Sequence, residues 1–155
     1  MLPAERGRPV RPTVSGMAPV VSQLTIDSRD PHALAAWWAE VLDWRYVWEP
    51  APDDDEIEIS PPSGDATNWL FIRVQDAKST KNRVHPDLRP PEGSDQATEL
   101  ARLLALGATR VDIGQGEVPW VVLADPEGNE FCLLRGTPSQ AAAALAAELE
   151  DNAES

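Results

Sequence analysis

The sequence predicts an α+β fold built as two βαβββ repeats, and three observations predict it. A strand, a helix and a set of strands occur once in the first half of the 155-residue chain and again in the second. Residues 41–47 can be laid over residues 105–111, both stretches leaving a helix and entering a strand. The first strand of each half alternates polar and apolar side chains, the period of a sheet with one buried face. Repeats of one small unit make a single domain with a pseudo-twofold axis and a concave surface between the halves. That concavity is where a small-molecule site is expected.

The elements follow in order. Residues 20–28 place Ser22, Leu24 and Ile26 on one face and Gln23, Thr25 and Asp27 on the other. Asp30-Pro31 supplies a helix cap and a proline at the first helical position. Leu34, Trp37, Trp38 and Val41 then recur at i, i+3, i+4 and i+7, an apolar helical stripe. Strands are predicted over residues 44–48, 56–60 and 69–74, separated by a Pro/Asp loop and a Pro/Ser/Gly turn.

The second unit opens at residues 83–88, with Arg83, His85 and Asp87 opposite Val84, Pro86 and Leu88. Pro86 lacks a backbone donor, so this strand should be an edge or irregular there. Ser94 or Asp95 caps a helix bearing Leu100, Leu103 and Leu104, and Gly107 ends it. Residues 109–113, 119–123 and 130–135 are the closing strands, with Asp125-Pro126-Glu127-Gly128-Asn129 as the turn between the last two. An Ala-rich stretch, 140–150, has high helix propensity and is a candidate contact with a second subunit. In both repeats the apolar strand face should lie under the helix. The polar faces, Gln23/Thr25/Asp27 and Arg83/His85/Asp87, should look into the concavity.

Bulk composition narrows the function. The net charge of −13 argues against general nucleic-acid binding, because phosphates would be repelled. No apolar run approaches the ~18 residues of a membrane span. Cys132 is the sole cysteine, so no intrachain disulfide can form and a reducing, cytoplasmic setting is the expectation. Residues 1–18, with arginines and prolines and no apolar signal core, read as a disordered tail, and Met17 as an alternative start. The domain is expected over residues 19–136, its repeats over about 19–75 and 82–136, and a C-terminal helix or tail over 137–155.

The segments DPHALAAWWAEVLDW, KNRVHPDL, LLALGA and above all DPEGNEFCLL resemble the glyoxalase-like branch of the vicinal oxygen chelate superfamily, which includes bleomycin-resistance proteins and extradiol dioxygenases. The resemblance covers roughly residues 19–136. It implies a cup-shaped, partly open mixed β-sheet, a small-molecule ligand and a homodimer. Metal-dependent members present His, Gln or Glu from the first and fourth strands of each repeat. By register those positions are Gln23 and His85, and then Phe71 (Arg73 if the register slips by two) and Cys132. Where a carboxylate usually marks the metal-binding members, this chain has Cys132, with Glu130 two residues before it.

A catalytic divalent ion usually wants three protein ligands and an open position. His85 suits that role and Gln23 is a neutral oxygen donor. Cys132 prefers softer ions, and Phe71 cannot coordinate. The two-His, one-carboxylate set of non-haem iron enzymes cannot be built, since His32 sits on the first helix. The reading favoured here is therefore a metal-free cup that binds a small molecule through Gln23, Phe71, Arg83, His85, Trp120 and Cys132. The alternative is a metal-dependent lyase, isomerase or dioxygenase, with zinc, iron, manganese or nickel held by Gln23, His85 and either Cys132 or Glu130. Between them lies a metal-free enzyme with His85 as acid or base, oriented by Asp87. Cys132 itself reads as a small buried hydrophobe before a nucleophile. Of the six tryptophans, at least three are expected in the core and the others against a ligand.

Overall fold

The computed structural model describes residues 19–64 and 66–153. The predicted N-terminal tail and the alternative start at Met17 lie outside the described residues. The first repeat runs β1 (Gln23–Ser28), α1 (Pro31–Leu42), β2 (Arg45–Tyr46), β3 (Glu56–Ser60) and β4 (Asn68–Arg73). The second runs β5 (Asp87–Leu88), α2 (Gln96–Ala105), β6 (Thr109–Arg110), β7 (Val121–Ala124) and β8 (Glu130–Leu133). A last helix, α3 (Pro138–Ala153), follows.

Each repeat forms its own four-stranded mixed sheet, ordered β1-β4-β3-β2 and β5-β8-β7-β6. In both, the first strand pairs parallel with the fourth and the remaining pairs are antiparallel. The duplication inferred from the sequence is thus reproduced strand for strand. The two open sheets match the expected cup.

Helix α1 starts where Asp30 accepts a hydrogen bond from the Ala33 N–H, with Pro31 in the first turn. It ends at Asp43, whose left-handed backbone (φ 54°) lets the Trp44 N–H reach the Ala39 carbonyl. Of the two caps expected for α2, Asp95 is the one used, accepting from the Thr98 N–H. The predicted stripe Leu34, Trp37, Trp38 and Val41 is buried entire. It meets Ile57, Ile59 and Phe71 of the first sheet and Leu123, Phe131 and Leu133 of the second in one continuous core.

Hydrogen bonds between the repeats cross this core in reciprocal fashion. Trp37 of α1 donates to the Leu106 carbonyl at the end of α2 (2.9 Å), while Arg102 of α2 donates to the Val41 carbonyl near the end of α1 (2.8 Å). Each helix thereby satisfies a C-terminal carbonyl of the other, a group that would otherwise lack a partner. The 125–129 turn does the same at the opposite end of α1. Glu127 accepts from the Ser28 hydroxyl and from the Arg29 and Asp30 N–H groups, at 2.6, 3.0 and 2.9 Å. A turn of the second repeat therefore caps the start of the first repeat's helix.

Two expectations need correction. The first strand of the second repeat shrinks to β5, because Pro86 cannot donate and Val84 is 78% exposed instead of facing the core. Pro86 still accepts from the Cys132 N–H (3.0 Å), so the chain stays beside β8. Phe71 does not face the concave side. It pairs with Ile26 and Ile57 and lies fully buried in the core. Leu70, opposite Thr25, takes the position that corresponds to Cys132. Trp69 packs edge-on to Trp38 and Trp44 at 4.9 and 5.6 Å and also lines the groove beside β1.

Candidate functional site on the concave face of the second sheet

The pairing of β5, β7 and β8 decides which side chains meet. Asp87 stands opposite Cys132, which stands opposite Val122. Alternation adds His85 and Leu134 to that face, because neighbours two apart point the same way. With Ile113, Gln115 and Trp120 from the segments around β7, these residues wall a concavity of about 360 Å³. Its apolar wall is Ile113, Trp120, Val122 and Leu134, and its polar pole is His85, Asp87 and Cys132. Lys81 and Glu130 lie at the margin.

Within the pole, His85 Nε2 lies 3.4 Å from Asp87 Oδ1, and both side chains are partly exposed. Cys132 is buried. Burial first, then the charge of Asp87 and a hydrogen bond to it, push the Cys132 thiol above its ordinary value. It is a neutral thiol that donates to a carboxylate, unsuited to attack as a free nucleophile. Ligand atoms of His85, Asp87 and Cys132 lie within 4.8 Å of one another. This is an imidazole, a carboxylate and a thiol. As a donor set it departs from the all-nitrogen-and-oxygen shell a hard ion prefers and suits a softer one.

Glu130 is already committed. Its carboxylate pairs with Lys78 at 2.9 Å and accepts from the Asn82 N–H at 2.9 Å. Burial opposes its ionisation, yet these donors outweigh it and hold its carboxyl below the usual value. A carboxyl lowered in the folded state contributes stability above its unfolded pKa and loses it as pH falls through the folded one. Glu130→Gln is therefore expected to flatten the fall of melting temperature between about pH 5 and pH 3 and to lower it at pH 7. Thermal unfolding across that range checks this. An unchanged slope would contradict the assignment.

The predicted site residues divide. His85, Cys132 and Trp120 are brought together, with Asp87, read from sequence as an orienting neighbour, as a full member of the pole. Gln23 is exposed at the start of β1 and lines neither concavity. Arg83 lines a larger, adjoining groove of about 720 Å³, between β1 and the 74–86 segment, which His85, Lys81 and Glu130 line too. That groove is the less suitable site despite its size. Of its carboxylates, Asp125, Glu127 and Glu130 are spent on internal donors, while Asp27 and Asp76 lie along it as well. The concavity instead exposes Trp120 (38%), whose indole N–H has no acceptor among the described residues. Ile113, Gln115 and Leu134 were not anticipated. Ile113 belongs to the predicted strand 109–113, of which only Thr109–Arg110 forms β6, and Gln115 lies in the loop beyond it.

The duplicated βαβββ fold with its two open sheets is consistent with the vicinal oxygen chelate superfamily. Residues 23–134 match the family model described as a glyoxalase-like domain, and the chain belongs to that family. No curated protein matches it. Among solved structures it is similar to the fosfomycin resistance protein FosX from Mesorhizobium loti, at 18% identity and TM-score 0.57 over 82% of this chain and 99% of that one. A mutant FosX from Listeria monocytogenes, solved with Mn(II) and 1S,2S-dihydroxypropylphosphonic acid, is 18% identical at TM-score 0.55 over 80% and 95%. A glyoxalase/bleomycin resistance protein/dioxygenase family enzyme from Burkholderia phytofirmans PsJN is 16% identical at TM-score 0.55 over 72% and 94%. At these identities the likeness is one of fold.

Proposed function

We propose that the protein binds a small molecule on the concave face of the second sheet, without the standard metal-ligand set of the superfamily. The observation that carries this reading is the exposed Trp120, its indole N–H free among the described residues, set across from the His85–Asp87–Cys132 pole. An aromatic wall with a few convergent polar groups suits a flat or apolar ligand bearing one hydrogen-bonding end. His85 is the anchor for that end, and Asp87 orients its ring. Gln23 and Arg83 contribute only if ligand or partner extends beyond this face.

A ligand screen by tryptophan fluorescence tests the reading, with Trp120→Phe as the silent control. His85→Ala is expected to weaken a hit by ~10-fold or more, the worth of a hydrogen bond to a charged or strongly polar group. Quenching that persists in Trp120→Phe, or affinity indifferent to His85→Ala, would contradict it. The second reading, a metal-dependent lyase, isomerase or dioxygenase acting on vicinal oxygens, is supported by the clustered His85, Asp87 and Cys132. The Mn(II) bound by the Listeria FosX mutant supports it by analogy. A homodimer in a reducing, cytoplasmic compartment belongs to the same proposal. Leu145 and Leu149, exposed one turn apart on α3, favour a second subunit, and light scattering would decide.

A further inference from the structure

We propose that Lys78 and Glu130 form a partition between the concavity beside Trp120 and the larger groove beside β1, and that this partition sets the longest ligand the protein accepts. The inference rests on the proposed binding reading and adds a specificity-determining pair to it. The two spaces adjoin. His85, Lys81 and Glu130 line both, so these three side chains make the wall between them. His85 keeps its place because the adjacent Pro86 carbonyl accepts from the Cys132 N–H. Lys81 is held differently. It sits on the 78–82 strap, and among the described residues its ammonium reaches only the carbonyl of its neighbour Asn82 (3.0 Å).

One carboxylate pins the strap. Glu130, at the start of β8, accepts from Lys78 Nζ and from the Asn82 N–H, both at 2.9 Å. Its side chain is 11% exposed and that of Lys78 19%, so the pair is nearly closed off from solvent. Lys78 also donates to the Thr80 carbonyl (2.7 Å), which folds the strap back on itself. The chain is thus tied to Glu130 on both sides of Lys81. Beyond the wall, Leu24, Ile26, Trp38, Trp69 and Val74 offer the groove's apolar lining to a hydrocarbon tail. A tail leaving the His85–Asp87 pole in that direction meets the Lys78–Glu130 pair first. Pushing through would part the ion pair and strand a nearly buried carboxylate, which is strongly unfavourable. Without the Glu130 side chain the strap loses both ties and the two spaces join.

N-alkylbenzamides, from N-methyl to N-hexyl, test this by isothermal titration calorimetry on the full chain. The phenyl ring suits Trp120, the amide suits the polar pole, and the alkyl tail probes the wall. In the wild type, affinity should level off near the propyl member and gain less than ~2-fold from there to hexyl, because methylenes left in water contribute nothing. In Glu130→Ala the same step should gain ~10-fold or more, since each buried methylene is worth roughly 4-fold. Lys78→Ala cuts one of the strap's two ties, so it should fall between them, and it carries the test if the first variant does not fold. A merely structural loss would weaken every member alike and leave the cut-off where it was. Affinity that climbs steadily to hexyl in the wild type, or a cut-off unmoved in both variants, overturns the partition alone. Failure of every benzamide to bind in a manner that Trp120→Ala weakens overturns the binding reading, and the partition with it.

Discussion

Trp38→Ala is expected to cost about 4–5 kcal/mol, the upper range for losing a buried aromatic side chain. Trp38 is 2% exposed at the junction of both repeats. Its ring meets Trp37 and Trp69 at 4.9 Å and Phe131 at 5.2 Å, all edge-on. The substitution therefore leaves a cavity bounded by both sheets, which no single side chain can fill. It also removes the indole N–H that binds Asp125. A small domain has only about 5–15 kcal/mol to lose, so the variant should be close to unfolded at 37 °C. Chemical denaturation measures it. A loss below about 2 kcal/mol would show that the repeats do not share a core.

Asp125→Ala should cost about 3 kcal/mol by a different route. The carboxylate is buried and accepts from Trp38 Nε1 (3.1 Å), the N–H groups of Glu127 and Asn129 (both 2.9 Å) and the Asn129 side chain. Burial raises its pKa in spite of these donors. The sign is opposite to that of Glu130: a raised carboxyl contributes most below its unfolded pKa and loses that contribution as pH rises through the folded one. Removing it strands donors whose acceptor is gone, and it frees the turn that places Glu127 against α1. Because Trp38 and Asp125 touch, their double variant should lose measurably less than the sum of the singles. Strict additivity would contradict a shared latch.

These two residues also mark what the sequence could convey. The α1 stripe was legible because its period is that of a helix, and β3 because Glu56-Ile57-Glu58-Ile59 alternates. Both elements appear as read. Phe71 was misplaced because Trp69-Leu70-Phe71-Ile72 is an unbroken apolar run, in which alternation says nothing about which side faces in. The antiparallel pairing of Ile57 with Phe71 settles the face, and that pairing is a long-range fact. The 125–129 segment was readable as a turn, but its capping of α1 was not, since its partners lie near residue 28. At the site, His85 and Asp87 were legible as face-mates through their spacing of two. The loop walls at Ile113 and Gln115 follow from tertiary packing alone.

The central claim is that ligands occupy the concave face of the second sheet and not the larger groove beside β1. Crystals soaked with a fragment library test it most directly. The account predicts fragments stacked on Trp120 with a polar end at His85 or Asp87, and the 720 Å³ groove near Trp69 left to solvent. Fragments collected in that groove, with the Trp120 face empty across the library, would contradict it.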